Sequence, residues 1–376
     1  MFGAFDVIGR LKRVFKRGWE SGRCRRDSVR RRPPHLPHLE ALEGRRVPSG
    51  YRIVNLGSFG GTKGINIDIN NRGAVVGASW TTNNLAENAF LYRRGRIIDL
   101  GTLGGTSSQA DGINSSGEVV GLSTTVPGSR LFDVFLYRDG HLSDLGPVDP
   151  NGLPGNVNIN DRGDIIAFPL SDGDASLDRH GTMIDLGSLA GLGSGALALN
   201  NDGAVVGYSV VARIPGTGGT STPKDIVHGF LYRHGKMTDL GTLGGAQSEA
   251  NGINDHGTVV GEAMTASGAN HAFLCSRGRL TDMGTLGGAD SGALAINDRG
   301  EVVGASLTSG SKQHAFLYSH GTITDLNAVI PANSGFVVVG AESINNRGQI
   351  AAEAVSTDPQ DHSVYTVLLN PKEHGR

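Results

Sequence analysis

The chain has 376 residues, a formal charge of −2, and only 19% Asp, Glu, Lys and Arg. Its 58 glycines are about twice ordinary usage, which argues against a helical protein and for many tight turns. No apolar run has the length a bilayer-spanning helix needs, so no transmembrane span is expected.

Residues 1–50 differ from the rest. They hold 13 Lys/Arg against 5 Asp/Glu, whereas the remainder holds 21 against 31. Phe5, Ile8, Leu11, Phe15 and Trp19 fall at helical spacing, with Arg10, Lys12, Arg13, Lys16 and Arg17 between them. Such a basic amphipathic stretch suits peripheral contact with an anionic membrane or envelope, or a targeting machinery. It lacks the apolar core of a standard secretory signal. A poorly ordered basic tail and a start codon placed too early are the plainer readings. An acidic body and the lack of aromatic interleaving argue against nucleic-acid binding through Arg23–Arg32.

From residue 51 the chain repeats one phrase of about forty residues, as in HAFLCSRGRLTDMGTLGGADSGALAINDRGEVVGASLT at His271–Thr308. Its anchor Asn recurs at Asn70, Asn114, Asn160, Asn200, Asn254, Asn297 and Asn345. Each copy reads as four strands. An apolar HAFLY-type run is followed by an X-Gly hairpin step, as at Arg94-Gly95 and Arg277-Gly278. The return strand ends in Asp-Leu-Gly, a GTLGG loop follows, and a small apolar strand reaches the Asn. An NDRG-type turn then leads to EVVG. Four short strands per repeat of this size predict propeller blades.

The ends test that expectation. The repeat region opens on a second strand, Tyr51–Gly57, and finishes on a first strand, Ser363–Leu369. Pairing them closes a ring, since an open sheet would expose unpaired edges. The predicted fold is therefore an all-β, seven-bladed β-propeller over 51–370, with 1–50 as a basic tail and 371–376 as a C-terminal tail. Small residues before each Asn suit the crowded centre, giving the order GIN, EVVG, HAFLY, DLG from axis to rim. Tight turns then share one face, and the GTLGG and variable loops share the other.

The HAFLY…DLGTLGG…INDRGEVVG phrase resembles the HAF-repeat family of extracellular repeat proteins. His-Ala-Phe stands at His271–Phe273 and His314–Phe316, and His-Gly-Phe at 228–230. The likeness covers 51–370; the third copy departs most, with Asp174–Arg179 in the HAFLY place. It implies an extracellular or cell-surface location and no particular reaction; cytoplasmic residence is the alternative. Pro37–Ser49, PHLEALEGRRVPS, resembles an LExLExR…PS segment of some bacterial surface proteins, which adds to the expectation of export.

Residues that recur at the same place in several copies read as building material. The Asp of DLG and the His of HAFLY are expected to bond backbone. The glycine loops lack the Lys-Ser/Thr of a phosphate cradle, and no metal or cofactor motif is present. Cys275 takes a Tyr place and reads as a core thiol. The resulting expectation is a non-enzymatic scaffold, without catalytic residues or cofactor, that binds a glycan or protein through its variable loops. Trp80, Arg213 and Lys224 are the candidate ligand-binding residues, the latter two in the Val211–Val227 insert. The alternatives are an intracellular interaction hub, and a carbohydrate-active hydrolase or lyase. The latter needs non-repeating groups such as Glu87, Asp133, Asp225 and Glu249 to meet at one channel mouth.

Overall fold

The computed structural model describes residues 50–148, 156–167, 173–214 and 224–372. They form seven four-stranded antiparallel sheets. Blade 1 is β2 (Gly60–Ile69), β3 (Val75–Thr81), β4 (Glu87–Arg93) and β5 (Arg96–Gly101). Blade 2 is β6 (Ser108–Ile113), β7 (Val119–Ser123), β8 (Asp133–Arg138) and β9 (His141–Pro147). Blade 3 is β10 (Asn158–Ile159), β11 (Ile165–Ala167), β12 (Ser176–Arg179) and β13 (Thr182–Asp185), and it is the thinnest. Its departure from the repeat shortens the strands without losing one.

Blade 4 is β14 (Ser194–Leu199), β15 (Val205–Ile214), β16 (Lys224–Arg233) and β17 (Lys236–Asp239). Blade 5 is β18 (Gly244–Ile253), β19 (Val259–Thr265), β20 (Asn270–Ser276) and β21 (Arg279–Asp282). Blade 6 is β22 (Gly287–Ile296), β23 (Val302–Thr308), β24 (Gln313–Ser319) and β25 (Thr322–Asp325). Blade 7 joins both ends of the ring: β26 (Phe336–Ile344), β27 (Ile350–Ser356), β28 (Val364–Pro371) and, outermost, β1 (Tyr51–Asn55). Ile53 lies opposite Leu369 in that pairing. The expected splice is thus the one that closes the ring. The basic tail, the centre of the Val211–Val227 insert and residues 373–376 lie outside the described residues.

Sequence explains each part. The Val pair of the EVVG strand is buried on both sides, because the two side chains point into different interblade layers. Val75 packs with Phe90 and with Ala351 and Leu368 of blade 7. Val76 packs with Ala110 and Phe135 of blade 2. The Phe of each HAF triplet fills these layers; Phe90, Phe135, Phe230, Phe273 and Phe316 are fully buried. At X-Gly both residues take positive φ, as at Arg94 (50°) and Gly95 (77°), which fits the twist of a two-residue hairpin. The Gly of EVVG has a different cause. The inner strand bulges opposite it, and a Cβ on Gly261 would lie 2.0 Å from the Glu249 carbonyl oxygen.

The tight turns, NDRG-type and X-Gly, lie at one face and the variable loops at the other. Gly50 leaves the ring at the tight-turn face, where its carbonyl accepts from Lys372 at 3.0 Å.

Candidate functional site

The seven inner strands surround a channel of about 520 Å³. At its tight-turn mouth the anchor Asn residues join the blades. Each Asn donates through Nδ2 to the backbone carbonyl of the corresponding Asn in the next blade. The bonds run from Asn70 to Asn114 (3.0 Å), on through Asn160, Asn200, Asn254 and Asn297, and from Asn345 back to Asn70 (3.0 Å). The Oδ1 of each accepts from its own turn, as Asn254 does from His256 and Thr258. This is an Asx turn and an interblade clasp in one side chain. The following residue adds a second tier: Asp298 Oδ1 accepts from the backbone of Asp255 at 2.9 Å, and Asp255 Oδ1 accepts from that of Asn201 at 2.9 Å.

The channel lining contains nine carboxylates and no Lys, Arg or His. Five of the nine tie parts of the scaffold together. Asp161, Asp255 and Asp298 belong to the mouth tier. Asp68 is buried and ties three blades together: it accepts from the Ser343 hydroxyl of blade 7 at 2.7 Å, its own neighbour Ile69, and Ile113 of blade 2. Burial pushes its carboxyl up, partly offset by those three bonds. Asp225 pairs with Arg213 at 2.6 Å.

The remaining four, Asp111, Glu249, Glu262 and Glu342, have no counterpart in most blades. Glu249 and Glu262 lie directly opposite one another on β18 and β19. Glu249 stands five residues before Asn254, which places it roughly 15 Å up the strand from the tight-turn mouth. Glu262 is 7% exposed, and its Oε2 occupies the space a side chain at Gly292 of blade 6 would need. Burial, and then the charges of Glu249 and Asp290, hold its carboxyl well above the usual carboxylate range. Tyr208, Val210 and Val227 of blade 4 form the neighbouring wall. Tyr208 reaches the channel because Gly195 stands opposite it on the inner strand. The upper channel beside blades 4, 5 and 6 therefore combines a buried carboxyl with a raised pKa, a second carboxyl group, a phenol and apolar wall.

The repeated Asp bonds backbone as expected, whereas the repeated His bonds that Asp's carboxylate rather than backbone. Asp99, Asp144, Asp185, Asp239, Asp282 and Asp325 each accept through Oδ1 from the backbone two residues on, at 2.7–2.8 Å, which caps the loop after the rim strand. The other oxygen takes a ring nitrogen of His228 (2.9 Å), His271 (2.8 Å) or His314 (2.6 Å). In blade 2 Asp133 holds the His place. Burial, together with Asp144 beside it, raises its carboxyl.

The predicted site residues are dispersed. Trp80 is half-buried at the end of β3, opposite Glu87, and Arg213 is exposed on the long β15–β16 hairpin. Lys224 pairs with Ile214 on that hairpin, and its side chain lies outside the described residues. Trp80 and Arg213 belong to blades 1 and 4, and neither lines the channel. Of the four groups proposed to converge, Asp225 and Glu249 line it; Glu87 and Asp133 do not. Sequence reasoning missed Glu262, Tyr208, Asp111 and Glu342. A signal existed for the first: Glu262 stands where Ala78 and Ala305 stand in other copies, a charge at a core position of the repeat. Cys275 is a buried thiol whose pKa burial raises. Among the described residues no helix is long and apolar enough to cross a membrane.

No protein-family model and no curated protein sequence matches the chain. Solved propellers do. The β-propeller domain of the trilobed protease from Pyrococcus furiosus aligns at 10% identity and a TM-score of 0.53, over 83% of this chain and 96% of that one. An acylaminoacyl peptidase from Pyrococcus horikoshii aligns at 10% identity and 0.47, over 81% and 52%. A gluconolactonase from Xanthomonas campestris aligns at 12% and 0.42, over 86% and 90%. These likenesses establish the fold and carry no activity across. They do correct the expectation of a non-enzyme: the aligned propeller of the Pyrococcus furiosus protein is a domain of a protease, so the fold and the repetition of its residues are no argument against catalysis.

Proposed function

We propose that the protein is a hydrolase whose active site is the upper channel beside blades 4–6, acting on a glycosidic bond. One observation carries this reading: the cross-strand pair Glu249–Glu262, in which burial and neighbouring charge raise the carboxyl of Glu262 beside a second carboxyl group. Two facing carboxyl groups, one of them with a raised pKa, are what acid-assisted glycoside cleavage needs. Glu262 gives its proton to the leaving glycosidic oxygen as the carbon–oxygen bond breaks. Glu249 offsets the positive charge that develops on the sugar and, as the base, accepts a proton from the attacking water. Tyr208 with Val210 and Val227 offers a sugar ring a mixed apolar and polar wall.

Membership in the HAF-repeat family, and with it residence at or beyond the cell surface, belongs to the same proposal. It is supported by the triplets at His271–Phe273 and His314–Phe316 and the near-triplet at His228–Phe230.

The test is release of reducing sugar or nitrophenol from a panel of soluble polysaccharides and nitrophenyl glycosides. Turnover is expected to fall as pH rises through the raised pKa of Glu262, because the acid is then lost. Purified protein that turns over nothing across the panel and the pH range would overturn the proposal.

A further inference from the structure

The two faces of the ring differ in charge, and the difference follows from the turn chemistry. Outer hairpins of the tight-turn face carry Arg93, Arg94 and Arg96 in blade 1, Arg233 and Lys236 in blade 4, and Arg277 and Arg279 in blade 5. The inner turns add Arg72 and Arg347, and Arg52 and Lys372 flank the point where Gly50 leaves the ring. All of these are exposed, and none has an ion-pair partner among the described residues. Four further bases there, Arg138, Arg162, Arg179 and Arg299, are taken by Glu118, Asp202, Asp164 and Glu301. The other carboxylates of that face are mostly engaged too. Asp161, Asp255 and Asp298 bond the mouth turns and Asp178 accepts from Gly181, leaving Asp139. On the variable-loop side the Lys and Arg with described side chains are Arg130, Arg213 and Lys312, and Arg213 is ion-paired.

The tail adds to this asymmetry. Residues 1–49 hold 13 Lys/Arg and join the ring at the basic face. Their apolar residues at helical spacing, Phe5, Ile8, Leu11, Phe15 and Trp19, have no use on a nucleic acid or a soluble polyanion but are suited to the acyl region of a bilayer.

We propose that the tight-turn face is a docking surface for an anionic lipid bilayer, to which the basic and apolar sequence of residues 1–49 is also suited. The ring lies flat on the membrane with its variable-loop mouth turned away. Each base near an anionic surface contributes attraction that falls off within a Debye length, so a flat basic face is effective only in this orientation. The upper channel, with its surplus of carboxylates, is then kept clear of the anionic headgroups.

The full chain is to be sedimented with vesicles of phosphatidylcholine alone and with about 30% phosphatidylglycerol added. It should bind the anionic vesicles, spare the neutral ones, and be released at high salt. Replacing Arg93, Arg96, Arg233 and Arg279 together by Glu should weaken binding at least about tenfold. The pair Arg130→Glu and Lys312→Glu should leave it unchanged. If the fourfold Glu variant lacks the parental melt, the same positions changed to Gln serve, with a smaller loss expected. Failure to bind anionic vesicles would overturn the proposal. So would a ring variant that binds like the parent, or binding to a polyanion such as heparin with none to vesicles.

Discussion

The two ends of the channel are built by different rules. At the tight-turn mouth every polar group is a repeat position with a partner one blade away, and the bonds close on themselves from Asn70 round to Asn345. In the upper channel the carboxyl groups are absent from most blades, stand beside others of the same charge, and leave Glu262 without a base to neutralise it. Buried polarity at the first end is matched by hydrogen bonds, so it joins the ring. At the second end it raises a pKa, which costs stability and is a mark of functional sites. Repetition and imbalance thus separate scaffold from site within one cavity.

The largest expected effect breaks the scaffold. Removing Ser363–Arg376 takes β28 away, leaves β1 without its partner, and uncovers the core under Leu369. Calorimetry should show the loss of a single cooperative transition. Asn254→Ala is next. It removes the bond to Asn297 and strands the backbone donors of His256 and Thr258, a loss of about 3 kcal/mol in denaturant unfolding.

Glu262→Gln acts in the opposite direction. A carboxyl raised in the native state binds more protons there than when unfolded. Its contribution is therefore fully present below the unfolded pKa and is lost as pH rises through the folded one. The parent should lose stability across that window, whereas the Gln variant should not, and at neutral pH it should melt a few degrees higher. Smallest of all is Arg213→Ala. Its pairing with Asp225 is solvent-exposed, and no change in melting is expected.

The fold was legible because forty-residue periodicity, X-Gly hairpins and the splice of Tyr51–Gly57 with Ser363–Leu369 are independent signals that agree. Even the order of strands from axis to rim followed from the small residues before each Asn. The interblade role of those Asn residues was not legible, since it depends on the close approach of neighbouring turns. The site was half legible. Asp225 and Glu249 stood out as non-repeating acids, but Glu262 belongs to a second strand and enters the channel only because Gly292 leaves room for it. Trp80 drew attention as the single Trp after residue 50, yet it packs half-buried over Gly61, away from the channel.

The comparison between the two ends is tested most directly by the pH–rate profiles of three variants on one hydrolysed glycoside. Glu249→Gln and Glu262→Gln are expected to lower kcat by a factor of about a thousand or more. Asp298→Asn at the tight-turn mouth should stay within about twofold, with any cost appearing in the melt. Equal losses at both ends, or a loss confined to Asp298→Asn, would contradict the division of the channel into scaffold and site.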